Sequence, residues 1–320
     1  MKIFTKIAHF LRGIFHLNSI ENKIDNIEKQ LEQISNRLDE KLRQINGKLD
    51  DQLGRIHAEL DEINAYHVLL NEKFNLYIKL INKTNNILPQ NRVHLITEYP
   101  FAFYSDDYKY PRGAKNDNTH CLRFVKKCEE IFGRKISYLD LGCAGGGLVF
   151  DFLARDHFAV GLEGSDYPSK NLSGEWSVID DYLFNCDITK EFKITDAKTG
   201  QIYRFDVIGF WEVFEHIPEE FLPQLMTNIK NHLKKDGLLT ASIAVFRDED
   251  KELGAVYHVN VKDREWWEKF FKSSGFELVD GLFEVEDFPR GSGNRRRVSD
   301  WSAIENPEMG FHIVAKLKKG

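Results

Sequence analysis

Apolar residues recur at positions 20, 24, 27, 31, 34, 38, 42, 45, 49, 53, 56, 60 and 63, set among Glu, Lys, Asp, Gln and Asn. Steps of three and four predict one apolar stripe along a continuous helix, the seam of a coiled coil. The repeat changes along its length. Seven-residue repeats lead into two elevens, "ISNRLDEKLRQ" from Ile34 and "INGKLDDQLGR" from Ile45, and a third copy opens at Ile56. Eleven residues over three turns relax the left-handed supercoil that a strict heptad imposes. Gly47 and Gly54 each cost a lone helix about 1 kcal/mol relative to Ala, which favours support from other chains. The pattern predicts a self-associating rod over 19–88, stopped by Pro89. It would act as a spacer that holds the rest of the chain off a surface.

Ahead of the rod, "MKIFTKIAHFLRGIFHL" sorts into two faces when wound as a helix. Ile3, Phe4, Ile7, Phe10, Leu11, Ile14 and Phe15 share one face; Lys2, Lys6, His9, Arg12 and His16 share the other. The interrupting charges and the lack of a small-residue cleavage site argue against a signal peptide. A basic, aromatic-rich helix over 1–18 suits peripheral contact with an anionic membrane surface. Packing on the protein's own body or on a sister chain is the alternative. Residues 89–117 show no period and are rich in Tyr, Phe, Pro and Asp. They read as a linker and a lid.

From residue 118 to 320 the pattern alternates. A helix is predicted over 119–132, capped by Asn118 or Thr119. Strands are predicted at 136–141, 158–163, 183–186, 205–210 and 237–245, with helices at 147–155 and 219–234. This is the pattern of an α/β doubly wound, Rossmann-like, mostly parallel seven-stranded sheet. Late strands at 276–284 and 310–317 would add an antiparallel edge hairpin.

The net charge of −6 excludes a protein whose whole surface grips nucleic acid. The four cysteines lack zinc-type pairing and read as small buried hydrophobes in a reducing cytoplasm. No apolar run reaches the roughly 18–20 residues of a membrane span. The expected location is cytoplasmic, peripheral at the inner membrane face.

Candidate chemistry begins at "DLGCAGGG", residues 140–147, at the end of the first strand of the alternating part. Ligands of such sheets bind outside the carboxyl ends of the strands. As a dinucleotide fingerprint the stretch offers Gly142, Ala144 and Gly147, with a methyl group where a pyrophosphate would touch backbone. Asp140 beside the loop also disfavours a phosphate and suits a cationic or amino-bearing ligand. Glu163, ending the second strand, is placed to accept both hydroxyls of a ribose. A nucleoside with a positive, amino-bearing tail and no phosphate fits, and S-adenosylmethionine has that description.

Residues 118–285 resemble a class I S-adenosylmethionine-dependent methyltransferase. "YLDLGCAGGG" resembles the family's first motif, and Glu163 its ribose-binding acid. "NCDIT" resembles the third motif, "FDVIGFWEVFEHI" the fourth-strand motif and "LKKDGLL" the turn into the fifth strand. The resemblance implies a cofactor site of Asp140, Gly142, Ala144, Gly146, Glu163, Asp187, Ile188 and Trp211. Asp187 would contact the adenine amino group, with Ile188 against the ring. Ala144 departs from the glycine usual there.

"WEVFEHIPEE" carries the remaining chemistry. A helix starting near Glu212 would place Glu212, Glu215 and His216 on one face. Two carboxylates and an imidazole could hold Mg²⁺, with His258 as a fourth ligand. Without a metal, His216 or His258 could serve as general base. The E-x-x-E-H stretch with a later His resembles the small-RNA 2′-O-methyltransferases and the ubiquinone-pathway O-methyltransferases. That resemblance implies that Glu212, Glu215, His216 and His258 bind magnesium next to the acceptor hydroxyls; the expected catalytic set is His216, His258 and Glu212. "PRGSGNRRRVSDW" (289–301) presents Arg295–Arg297, which could clamp a phosphate on nucleic acid, a lipid-linked sugar or a membrane. No basic RNA-binding module is visible, so the expectation is O-methylation of a surface-glycan or lipid-linked saccharide hydroxyl. An RNA 2′-O or 3′-terminal methyltransferase and a coiled-coil scaffold with an inactive body are the alternatives.

Overall fold

The computed structural model of the chain describes residues 2–82, 92–293 and 301–318. The expected stop at Pro89 and the Arg295–Arg297 run lie outside the described residues, as do most side chains of the two-faced segment 1–18. Two compact units follow one another in the chain, Met1–Asn71 and Glu72–Gly320. One continuous helix runs Lys2–Asn82. Between Ile27 and Ile63 its apolar stripe stands open, from 45% exposed at Leu53 to 62% at Leu38. Among the described residues no helix is long and apolar enough to cross a membrane.

The second unit is built on a seven-stranded sheet: β1 Ser137–Leu141, β2 Phe158–Glu163, β3 Leu183–Asn185, β4 Phe205–Trp211, β5 Leu233–Ala244, β6 Phe276–Leu278 and β7 Gly310–Leu317. Their order is β6-β7-β5-β4-β1-β2-β3. β5 to β3 run parallel, while β7 lies antiparallel to both β5 and β6. Every residue of β1, β2 and β4 is buried, because helices cover both faces of a parallel sheet. The strand order reverses between β1 and β4. Asp140 pairs with Gly161 of β2 on one side and Gly209 of β4 on the other. This sets its side chain at the crevice where such sheets bind ligands.

Several elements differ from the sequence pattern: the helix expected over 219–234 runs Leu222–His232, and the strand expected from 237 begins at Leu233. The helix expected over 119–132 runs Leu122–Phe132, and neither Asn118 nor Thr119 caps it. Asp151, from the helix Gly147–Ala154, accepts the Cys121 N–H at 2.7 Å and does a cap's work from another element. The strand expected over 276–284 ends at Leu278, and Gly281 turns at φ +75° soon after. The segment taken as an aperiodic linker contains a strand, Val93–Thr97, paired antiparallel with Phe192–Asp196. Its anchor, Val93, is fully buried. None of the four cysteines forms a disulfide, and Cys128, Cys143 and Cys186 are buried.

Candidate functional site

The loop after β1 turns through left-handed backbone. Gly142 adopts φ +81°, and a Cβ there would meet Val213 Cγ2 at 2.6 Å. Gly146, expected at the cofactor, serves packing instead. Its φ is +85°, it starts the helix Gly147–Ala154, and a Cβ would strike Leu183 Cδ1 at 2.7 Å. Ala144 also sits left-handed, at φ +45°. Its N–H donates to Glu163 Oε2 at 2.8 Å, and its carbonyl accepts Trp176 Nε1–H at 2.8 Å. Those bonds hold a conformation that costs an L-residue about 1–2 kcal/mol. Ala144→Gly is therefore expected to raise the melting temperature by about 2–4 °C, read by calorimetry; no rise would show that the loop is unstrained.

The loop borders a cavity of about 830 Å³, lined by Asp140, Gly142, Ala144, Glu163, Asp187, Ile188 and Trp211 among others. Seven of the eight cofactor residues expected from the sequence thus meet there. Asp140 is 3% exposed, and its Oδ1 accepts Tyr138 O–H at 2.9 Å. Burial pushes its carboxyl up to about 7, against the Tyr138 bond and with help from the nearby Glu163 charge. Glu163 is raised as well, first by burial, although its oxygens accept the Ser165 and Ala144 N–H groups at 2.8 Å. Each carboxylate oxygen retains a second lone pair. Asp187 Oδ1 accepts from Thr189, from Oγ1 at 2.6 Å and from N–H at 3.0 Å. Two buried carboxylates without a cation between them make a cavity suited to a positively charged ligand.

The other end of the cavity carries the imidazoles. The helical face expected from Glu212 does not form. Glu212 is left-handed at φ +58°, and only a tight 3₁₀ turn, Phe214–His216, follows. The Glu212 carboxylate is bound by Arg290 and by Trp301 Nε1–H, the latter at 2.6 Å. Glu212 lines the cavity but does not join the other three expected ligands. Glu215, His216 and His258 do converge, with ligand atoms within 4.8 Å of one another.

Each of these three has one atom held by a hydrogen bond. His216 Nδ1 donates to Asp107 Oδ2 at 2.9 Å, and His258 Nδ1 donates to the Phe246 carbonyl at 2.7 Å. Both Nδ1 atoms are thereby held, while His258 Nε2 lies 3.9 Å from Asp248 Oδ2. Glu215 Oε1 accepts the Ala244 N–H at 3.0 Å; Oε2 is buried with no hydrogen-bond partner. Burial lifts the Glu215 carboxyl to about 7, with His216 opposing and Glu212 adding to the shift. Burial works against charging His216, but the Asp107 carboxylate outweighs it and holds the imidazole at about 9. Burial and the neighbouring His216 charge push His258 down.

Asp107, Arg112 and Arg290 escaped the sequence reading. Asp107 and Arg112 come from the supposed lid, whose Tyr104, Ser105 and Gly113 also line the cavity. Arg112 pairs with Asp248 across the cavity mouth and lies 4.0 Å over the Tyr257 ring. The acidic pair Asp106-Asp107 was a visible signal, but nothing local links it to a histidine 109 positions away.

A sheet of this order, with its ligand cavity at the switch point, defines the Rossmann-like class of methyltransferase folds. The chain belongs to the methyltransferase-domain family, whose sequence model matches residues 113–281. Among solved structures it is similar to an S-adenosylmethionine-dependent methyltransferase from Clostridium acetobutylicum (16% identity, TM-score 0.44, covering 67% of this chain and 96% of that one). It is also similar to the Burkholderia thailandensis 1,6-didemethyltoxoflavin-N1-methyltransferase (15%, 0.43, 67% and 84%). A third is the glycopeptide N-methyltransferase MtfA complexed with S-adenosylmethionine (14%, 0.41, 62% and 95%). No curated protein sequence matches the chain significantly.

Proposed function

We propose that the chain is an S-adenosylmethionine-dependent O-methyltransferase that uses a divalent metal and acts on a sugar hydroxyl of a surface glycan or lipid-linked saccharide. The observation that carries the metal-assisted, oxygen-directed reading is the cluster of Glu215, His216 and His258, in which both imidazole Nδ1 atoms are held and the buried Glu215 Oε2 has no hydrogen-bond partner. A carboxylate so buried is costly unless a cation meets it.

In this reading Asp140 meets the amine of S-adenosylmethionine, and Glu163 offers its free lone pairs to the ribose hydroxyls. Asp187 and Ile188 hold the adenine. Glu215, His216 and His258 would hold the metal, the His216 ring giving up its second proton on binding. Two imidazoles and one carboxylate suit Mn²⁺, Fe²⁺ or Zn²⁺ better than the Mg²⁺ expected from an oxygen-rich set that included Glu212. When bound, the ion acts as a Lewis acid that makes an acceptor hydroxyl easier to deprotonate. The methyl carbon leaves sulfur as the C–S bond breaks and joins the acceptor oxygen; S-adenosylhomocysteine and a proton are released. Asp107 keeps the His216 ring oriented throughout. Arg290 and Trp301 hold the Glu212 carboxylate.

The saccharide assignment is supported by the net negative charge of the chain and by the amphipathic pattern of residues 1–18, which suits the inner membrane face. An RNA 2′-O or 3′-terminal acceptor is the second reading, favoured by the E-x-x-E-H stretch. Transfer of labelled methyl into extracted glycolipid and small-RNA fractions separates the two. Label in the glycolipid fraction, lost on chelation, is the expected result; label in RNA alone overturns the saccharide.

A further inference from the structure

From Ile27 to Ile63 the N-terminal helix exposes an unbroken apolar stripe, every member at least 45% open. We propose that this stripe is covered by a second copy of the chain lying parallel and in register. Charge on the two borders of the stripe carries the orientation. At eleven residues per three turns, positions advance by about 98°. Asp39, Asp50 and Asp61 then fall on one border, and Arg37, Lys41 and Lys48 on the other. All six are exposed. No Lys or Arg interrupts the acidic border between Ser35 and Asp61, and Glu59 is the lone acid on the basic one over the same span.

A two-fold axis along the rod sets each copy's acidic border against the other's basic border. A two-fold axis across the rod sets acid against acid and base against base, which disfavours antiparallel pairing. In register, Lys48 lies only two residues, about 3 Å of rise, from the level of the partner's Asp50. The repeat fits as well: about 3.67 residues per turn is close to a straight helix, so the stripe stays on one face for its whole length. Parallel alignment also brings residues 1–18 of both copies to one end of the rod, where two weak surface contacts act together.

The full-length chain tests this. Sedimentation at tens of micromolar is expected to show a self-associated species. Leu31→Cys is expected to form a covalent dimer under mild oxidation, joined through the introduced thiols and mapped by peptide mass. Asp39→Lys/Asp50→Lys/Asp61→Lys makes both borders basic and should weaken association at least about tenfold. Adding Arg37→Glu/Lys41→Glu/Lys48→Glu to the same chain swaps the borders and should restore it. All these positions are exposed, so folding of the body, checked by circular dichroism, should persist. A monomer at all concentrations overturns the proposal. So does a Leu31→Cys/Leu60→Cys chain that cross-links between positions 31 and 60 rather than like to like.

Discussion

Asp140→Asn is expected to weaken S-adenosylmethionine binding by about 100-fold or more while making the protein more stable. Removing one partner of a buried charge pair costs about 3–5 kcal/mol, and titration calorimetry reads it directly. The stability gain follows from the raised pKa. Asp140 rises from 3.8 unfolded to about 7 folded, so the folded state prefers the protonated acid. Ionisation therefore destabilises the native chain progressively from about pH 4 to 7, by up to about 4 kcal/mol. The variant escapes this loss, and its melting temperature should pull ahead of wild type over that range. Affinity moves the other way. The ligand's amine stays protonated at acid pH and needs an ionised Asp140, so wild-type affinity should fall by up to about tenfold per pH unit below 7. A variant with wild-type affinity, or wild-type binding flat between pH 6 and 8, would remove Asp140 from the ligand site.

Glu215→Gln is expected to abolish methyl transfer, by about 1,000-fold, while leaving S-adenosylmethionine binding unchanged. A chelator should do the same to wild type, with Mn²⁺ or Zn²⁺ restoring wild type but not the variant. Asp107→Asn should behave as an intermediate. It keeps all three ligand atoms but loses the anion that orients His216, so its affinity for metal should drop about 10- to 100-fold, measured by equilibrium dialysis. Full activity in chelator would end the metal proposal and leave the family assignment intact. The two residues separate the two ends of the cavity: one variant loses the methyl donor, the other loses the chemistry.

The end of the cavity beside β1 was legible because its signals are local. Strand β1 and the glycine loop are contiguous, and Asp140, Gly142 and Ala144 reach the cavity simply by ending a strand. Glu163 needs only that β2 pair beside β1. Gly146 does not line the cavity; a glycine in such a loop serves close packing as readily as ligand approach, and here it packs on Leu183. At the other end, the spacing 212, 215, 216 made sense only for an α-helix. The chain instead turns left-handed at Glu212 and tightens into a 3₁₀ turn, which sends that carboxylate to Arg290 and Trp301.

By itself the sequence determined the long helix with its apolar stripe, the doubly wound order of strands and helices, and the carboxylates at the strand ends. These follow from hydrophobic period and from groups near one another along the chain. Only the tertiary structure decided that Asp107 orients His216, that Arg290 takes Glu212, and that Glu215, His216 and His258 meet. Those contacts join residues from several loops brought together when the sheet closes over its core. No pattern of local spacing encodes the distance between side chains that only packing makes neighbours.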